Sequence, residues 1–352
     1  MSDLAPGQRL DQYQLIDVMA RSGMATLFRA RDLESGQPVV LKVPYLEYEG
    51  DLVFHERFRR EEQIGQRLDH RALVKVLRPR AKSRVYLAME YVEGELLSAR
   101  LARERRLPIE TALRLAIQIA DALVYLHDHH VVHRDLKPAN VMIGPDGNIK
   151  LIDFGIAIDT TGRKMTWSGL SQTMGTPAYM APEQVKGQRG DARSDIYSLG
   201  VILYEMLTGE VPFAADNVYA EMRNKLQDDP IPPRRLRPDL SPEVEEVILH
   251  ALEREPQDRF ENALEFREAL AHPQSVVSAS RAARLRPHRK LPRWLRVALT
   301  LILGVAAYAF MIWAFAHVGA WMLQKRSSAP APRSGAGSVA AARAGGASPL
   351  RL

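Results

Sequence analysis

The spacing of apolar residues changes along this chain. Near the front, Val39-Val40-Leu41-Lys42-Val43 and Val85-Tyr86-Leu87-Ala88-Met89 are short apolar runs that predict strands. Farther on, Leu113, Ala116, Ile117, Ala120 and Val124 recur at helical spacing and predict a helix over about 110–127. Ser241 reads as an N-cap with Pro242 at the first helical position, followed by the stripe Val244, Val247, Ile248, Ala251 and Leu252. A strand-rich front and a helix-rich back predict an α+β chain of two lobes, and no internal repeat is visible.

Two charges break these patterns. Phe54, Phe58, Ile64, Gly65 and Leu68 share one helical face, and Glu61 sits in its middle. Lys42 lies inside the apolar strand 39–43. A lone charge on a packed face is costly unless paired, so a Lys42–Glu61 ion pair would resolve both and aim the ammonium at phosphate oxygens. The alternative is that both side chains snorkel to solvent.

A third pattern closes the chain. Val297 to Leu323 is a 27-residue run without Asp, Glu, Lys or Arg, with Trp294 and Trp321 near its two ends. A bilayer core needs roughly 20 apolar residues as a helix, so the run predicts a tilted membrane span rather than a buried core helix. Seven basic residues lie in the sixteen before it and Lys325, Arg326 and Arg333 in the sixteen after, which predicts a cytoplasmic N-terminal domain. His317, near the outer end, reads as a partly solvated imidazole in preference to a proton relay. Ala316 and Ala320 form a small-xxx-small pair that suggests a homodimer.

Composition sharpens this division. Residues 269–352 carry 12 Lys and Arg and no acid, which leaves 1–268 with 36 bases against all 42 acids, a net −6 beneath the overall +6. The basic excess belongs to the tail, so nucleic acid is not expected as a partner. With no cysteine among 352 residues, a disulfide framework or thiolate metal site is excluded. Residues 1–12 contain no apolar run of the kind that forms a secretory signal.

The chemistry is concentrated in His133-Arg134-Asp135-Leu136-Lys137-Pro138-Ala139-Asn140 and Asp153-Phe154-Gly155. Asp135 is the candidate to accept the proton of an attacking hydroxyl, and Lys137 to offset charge on a transferred phosphoryl group. Asn140 and Asp153 offer one neutral and one charged oxygen, a set that suits Mg²⁺ completed by phosphate and water. His133 reads as structural, because Asp135 already fills the role of base. Each residue alone would pass for a solvated loop residue; the ordered set is the signal.

Residues from about 13 to 270 resemble a eukaryotic-like (Hanks-type) serine/threonine protein kinase of the bacterial receptor type. The likeness rests on Lys42 in Val-Val-Leu-Lys, Glu61 in Arg-Phe-Arg-Arg-Glu, the hinge Met89-Glu90-Tyr91-Val92 and the stretches 133–140 and 153–155. It continues through Gly175-Thr176-Pro177-Ala178-Tyr179-Met180-Ala181-Pro182-Glu183, Asp195 in Asp-Ile-Tyr-Ser-Leu-Gly, and Arg259. The resemblance implies a bilobal kinase fold and transfer of the ATP γ-phosphate to Ser or Thr of protein substrates, with ATP and Mg²⁺ as cofactors. It implies catalytic roles for Asp135, Lys137, Lys42 and Glu61, and metal ligation by Asn140 and Asp153. ATP contacts would come from Met19, Gly23, Leu27, Lys42, the gatekeeper Met89, Glu90 and Val92. Glu183 would pair with Arg259 to hold the helical lobe, and Asp195 would brace the catalytic loop.

The expected organisation is an N-terminal extension (1–12), a kinase domain (13–272), a basic juxtamembrane linker (273–296), a transmembrane helix (297–323) and a short disordered extracytoplasmic tail (324–352). The expectation is a single-pass protein of the cell (inner) membrane in contact with lipid, its kinase domain in the cytoplasm. Thr166, Ser168, Ser171 and Thr173 are expected autophosphorylation sites, with Arg134 resembling the arginine that receives the phosphate. With 29 residues after Leu323, ligand sensing outside is not expected.

The sequence departs from the family at the phosphate-covering loop, where Gly-x-Gly-x-x-Gly is replaced by Ala20, Ser22 and Ala25, with only Gly23 beside them. Weaker nucleotide affinity is expected, because glycine permits close approach of backbone amides to phosphate. Leu41, before the lysine, is expected to crowd the adenine pocket. The competing function is a membrane-tethered pseudokinase scaffold with weak nucleotide binding; the retained Lys42, Glu61, Asp135, Asn140 and Asp153 argue for activity.

Overall fold

Strand alternation organises the front of the molecule. In the computed structural model, which describes residues 4–49, 51–153, 158–159, 177–276, 280–285, 301–302, 304–313 and 317, the first lobe is a six-stranded antiparallel sheet in the order β1-β2-β3-β4-β6-β5. Its strands are β1 (Arg9–Leu10), β2 (Tyr13–Arg21), β3 (Ala25–Asp32), β4 (Pro38–Pro44), β5 (Val76–Leu77) and β6 (Leu87–Glu90), with helices α1 (Leu46–Glu49) and α2 (Leu52–Arg67) between β4 and β5. Because successive side chains leave opposite faces, Val39, Leu41 and Val43 join Tyr13, Phe28 and Tyr86 in an outer core. Val40 faces the other way, into the larger core with Phe58, Leu87 and Met89.

This alternation corrects one expectation. Leu41 is fully buried in the outer core, on the face opposite Lys42, and does not border the nucleotide side of the sheet. The residue that shares the Lys42 face is Val40, directly across from Met89 on β6.

Helix α2 lies against β5 through a glycine. A Cβ on Gly65 would come within 2.2 Å of Val76 Cγ2, so only the bare backbone allows this approach. The helix buries Phe58 and Ile64, with Glu61 between them, and Leu68 is buried just past its end.

The second lobe is helical, with its small sheets on the cleft side. β7 (Glu95–Leu96), α3 (Leu97–Glu104), α4 (Ile109–Asp128), β8 (Val131–Val132), β9 (Val141–Ile143), β10 (Ile149–Leu151) and β11 (Ile158–Asp159) come first. Helices α5 (Pro182–Val185), α6 (Ala192–Thr208), α7 (Val218–Gln227), α8 (Pro233–Leu236), α9 (Pro242–Ala251), α10 (Ala263–Ala271) and α11 (Arg281–Arg284) follow. Hairpin β9–β10 adds β7 to form a three-stranded sheet, and β8 pairs with β11. Helix α6 is buried on nearly every face, which marks it as the centre of the lobe. Asp191 caps its start, and Gly209 ends it in the left-handed conformation. At α9 the Ser241 hydroxyl accepts from the Val244 amide at 3.3 Å, and the stripe 244–252 is buried.

The compact unit extends past residue 272. Arg281 packs on α9, where its guanidinium meets Glu246 at 2.6 Å and Glu253 at 3.0 Å. A second unit covers 289–352. Its described residues 301–302, 304–313 and 317 are helical and exposed. Among the described residues, no helix is long and apolar enough to cross a membrane. The rest of the expected span, including Ala316 and Ala320, lies outside the described residues.

One buried ion pair ties the helical lobe together. Arg259 reaches Glu183 through two hydrogen bonds of 2.9 and 2.7 Å, and the Ser194 hydroxyl donates to the same carboxylate at 2.6 Å. Burial works to raise the Glu183 carboxyl, but Arg259 outweighs it and holds the group below its usual range. Stability from such a depressed acid is present above the ordinary Glu value of about 4.5 and is lost as pH falls through the lowered folded value. Glu183→Ala leaves Arg259 buried without its counter-ion, and urea unfolding at pH 7 should show a loss of about 3–5 kcal/mol. The variant should also lose less of its remaining stability between pH 5 and 3 than the parent does.

Candidate active site between the lobes

The alternation that buries Leu41 turns Lys42 into the cleft. Its ammonium donates to Glu61 Oε1 at 2.8 Å and Oε2 at 3.0 Å, and lies 3.5 Å from Asp153 Oδ1. The two out-of-pattern charges therefore meet, and neither snorkels to bulk solvent. Burial alone would depress the Lys42 ammonium; the carboxylates of Asp153 and Glu61 outweigh it and keep the pKa above the ordinary lysine value. Burial and the neighbouring Asp153 push the Glu61 carboxyl up to about 7 against the pull of Lys42, so two acids crowd one ammonium, a setting that invites a cation.

The catalytic loop hangs from a buried carboxylate. Asp195, with no exposed surface, accepts from the His133 amide at 2.9 Å and the Arg134 amide at 2.8 Å, and its Oδ2 lies 2.9 Å from His127 Nε2. Burial pushes this carboxyl upward, but the hydrogen bonds and nearby imidazoles hold it below the usual range. Arg134 adopts φ of 65°, a conformation costly for a residue with a side chain, and Gln184 Nε2 donates to its carbonyl at 3.0 Å. His133 is buried and its Nδ1 accepts from the Asp135 amide at 3.3 Å, so it supports the loop from behind. Sequence reading missed His127 and Gln184: the first looks ordinary near the end of amphipathic α4, and the second sits in the four-residue α5, too short to show a pattern.

Within the loop, Lys137 Nζ donates to Asp135 Oδ2 at 2.7 Å. Asn140 Nδ2 donates to the Asp135 carbonyl at 2.9 Å and to Asp135 Oδ2 at 3.2 Å, which turns the amide oxygen away from Asp135. The Ile152 amide donates to the Asn140 carbonyl at 3.1 Å, so the segment bearing Asn140 is joined to the strand that delivers Asp153. An amide oxygen and a partly exposed carboxylate form an oxygen-only donor pair, and these residues fit Mg²⁺ held jointly with phosphate and water.

The loop joining β2 and β3 is closed on itself. Ser22 Oγ accepts from the Ala25 amide at 3.1 Å and the Met24 amide at 3.4 Å, and donates to the Ala25 carbonyl at 3.1 Å. The Tyr45 hydroxyl donates to the Ser22 carbonyl at 2.8 Å, and its amide to the Met24 carbonyl at 2.9 Å. Gly23 has open space where a Cβ would stand and does not need a positive φ. Met19 falls at a register shift in the β2–β3 pairing, a bulge that leaves its side chain exposed, whereas Leu27 is partly buried beside the larger core.

At the hinge, Met89 is buried. The Glu90 amide is already spent on the Lys75 carbonyl at 2.9 Å, and its carboxylate accepts from the Lys75 amide at 2.8 Å and from Lys150. An adenine contact at Glu90 is thereby restricted to the carbonyl. Val92 lies just past β6 and is partly buried against the larger core. Arg134, whose side chain also donates to the Gly190 carbonyl at 3.0 Å, is held down to about 10 by burial and by neighbouring Arg189. Thr166, Ser168, Ser171 and Thr173 lie outside the described residues, as do Phe154, Gly155, Gly175 and Thr176.

The protein kinase domain family matches residues 13–274. The serine/threonine-protein kinase PknB of Mycolicibacterium smegmatis is 37% identical over 272 residues, covering 75% of this chain and 43% of that protein. A probable serine/threonine-protein kinase of Streptomyces coelicolor is 39% identical over 261 residues, covering 73% of this chain and 39% of that protein. The crystal structure of the Mycobacterium tuberculosis PknI kinase domain superimposes with a TM-score of 0.60 at 28% identity, over 77% of this chain and 99% of that domain. The chain spans about two fifths of the length of the curated relatives it matches.

The amides of Met24 and Ala25 are held by Ser22, so a phosphate has to displace a hydroxyl to reach them. Ser22→Gly should lower the Michaelis constant for ATP by about threefold or more, in line with about 1 kcal/mol for a freed donor. An unchanged constant in steady-state kinetics would mean that these amides do not meet the nucleotide.

Proposed function

The chain belongs to the protein kinase family, and from the geometry of the cleft we propose that it transfers the γ-phosphoryl group of ATP to serine or threonine hydroxyls of proteins. The observation that carries this reading is the triad of Lys42, Glu61 and Asp153 beside the pairing of Asp135 with Lys137 and Asn140. The hydroxyl oxygen of the substrate forms a bond to the γ-phosphorus as the bond to the β–γ bridging oxygen breaks. The hydroxyl proton passes to Asp135, which Asn140 orients and whose Oδ2 also accepts from Lys137. Lys137 offsets charge on the moving phosphoryl group, and Lys42, aimed by Glu61, does so for the phosphates that remain.

Asn140 and Asp153 would hold Mg²⁺, whose contribution is to neutralise phosphate charge. On the nucleotide side, Met19, Gly23 and Leu27 would cover the phosphates, Met89 would back the adenine, and Glu90 and Val92 would meet it through their backbones. Autophosphorylation within 160–176, at Thr166, Ser168, Ser171 or Thr173, remains part of this reading, with Arg134 as the receiving cation.

The single-pass, receptor-type architecture is likewise a proposal. It rests on the uncharged run 297–323 and the seven basic residues before it, which favour insertion with the kinase domain in the cytoplasm and lipid around the helix. The small-xxx-small pair Ala316–Ala320 supports a homodimer through the span. A second reading, a tethered pseudokinase scaffold, draws support from the self-closed Ser22 loop.

Incubation of the full chain with labelled ATP and Mg²⁺ separates the two functions. The parent should incorporate label on Ser or Thr, and Asp135→Asn should reduce incorporation by at least a hundredfold. Label in neither protein, with nucleotide still bound, would favour the scaffold. For the anchor, the full chain should stay with membranes through an alkaline wash, and removal of 297–352 should release it.

A further inference from the structure

One lysine outside the cleft is held as closely as those within it. Lys225, in the last turn of α7, is 1% exposed. Its ammonium donates to the carbonyls of Pro177 at 2.7 Å, Ala178 at 2.7 Å and Met180 at 2.6 Å. It also lies 5.6 Å from the centre of the Tyr197 ring. Among the described residues its three hydrogen-bond partners are backbone carbonyls of one short segment, and no carboxylate is among them. An ammonium has three N–H donors and a neutral amine two, so this grip is complete only while the lysine is charged.

The gripped carbonyls belong to the stretch 175–183, and the resemblance to protein kinases implies that this segment docks the polypeptide substrate. We propose that Lys225 is a positioning residue for the protein substrate, fixing the backbone of 177–180 from beneath, and that its deprotonation loosens this docking surface. The inference rests on the kinase reading above. Neither the transfer chemistry nor nucleotide binding calls on α7, so the expected signature lies in the protein substrate alone.

Several charged and titratable groups face Lys225. Burial depresses it to about 7, against the pull of Glu221 and Glu183. Glu221, one turn earlier, has a buried Oε1 without a hydrogen-bond partner among the described residues, and burial raises its carboxyl. On α6, Tyr197 is raised by burial, and Glu205 is bonded to the Tyr179 hydroxyl at 2.6 Å. Glu183 is held by Arg259. Across an adjoining cavity of about 510 Å³ stand Asp228, Asp229, Glu253, Arg254, Asp258, Arg281 and Arg284.

The signs separate positioning from mere support. A lysine whose folded pKa lies below its unfolded value favours folding increasingly as pH rises from about 7 toward 10.5. Loss of a donor over the same rise weakens the docking surface. Stability and substrate affinity should therefore move in opposite directions.

The test uses the full chain with myelin basic protein as the phosphate acceptor, comparing the parent, Lys225→Arg and Lys225→Met. For the parent, the Michaelis constant for the acceptor should rise several-fold between pH 6.5 and 8.5, while that for ATP stays level. In Lys225→Arg, which cannot lose its charge in this range, that rise should vanish whatever the starting value. Lys225→Met at pH 6.5 should raise the acceptor constant about tenfold and leave the ATP constant within twofold. Identical pH profiles for the parent and Lys225→Arg, or equal changes in both constants for Lys225→Met, overturn the proposal. If Lys225→Met fails to fold, the parent and Lys225→Arg profiles decide. If the parent transfers no phosphate, the kinase reading fails separately. Amide hydrogen exchange over 177–181 then tests the grip, with faster exchange at pH 8.5 than intrinsic rates predict in the parent but not in Lys225→Arg supporting it, and no such difference refuting it.

Discussion

The carboxylate of Asp195 is the constraint on which the cleft depends. A buried charge with no surface needs several donors, and it takes two from consecutive backbone amides, those of His133 and Arg134. That demand holds Arg134 in a conformation its side chain disfavours and sets the direction in which the next residue leaves. Asp135, Lys137 and Asn140 then follow in a turn in which the side chains of Lys137 and Asn140 both donate back to Asp135. The geometry of the reactive groups is thus inherited from the all-buried helix α6, which has little freedom to move.

The two lobes deal with charge in different ways. In the helical lobe, Glu183 and Arg259 are matched, buried and closed, which suits a fastening. In the cleft, Lys42 serves two carboxylates at once, and one of them remains partly open to solvent. An imbalance of this kind is a poor fastening and a good receptor, because a cation brought in with a polyanion relieves it. Burial without balance marks the functional pair; burial with balance marks the structural one.

Much of the cleft was legible because chemistry distorted the pattern of the chain. Glu61 on a packed face and Lys42 in an apolar strand were visible as anomalies, and their pairing follows from the cost of leaving either alone. Leu41 was misread as a neighbour of the nucleotide; counting the strand period of two from Lys42 assigns it to the opposite face. Lys225 carried no warning, since a lysine in the last turn of a polar helix is commonplace and its burial arises from contact with a segment some 45 residues earlier. The Ser22 hydrogen bonds were hidden for a similar reason: the departure from glycine was plain, but which amides the hydroxyl would occupy depends on the turn it makes. Arg281 was counted as part of a basic linker, and only the buried acids of α9 reveal where it goes.

Gly65 is four residues from Glu61, on the same face of α2. Its missing side chain lets the helix rest on Val76 at the inner edge of the sheet. The helix therefore behaves as a lever whose fulcrum is a bare Cα, and whose working end carries the carboxylate that aims Lys42. A single methyl group at the fulcrum would be felt in the cleft without touching any reacting atom. Mutational sensitivity at this glycine should thus mimic that of an active-site residue, although nothing about its own chemistry marks it as one.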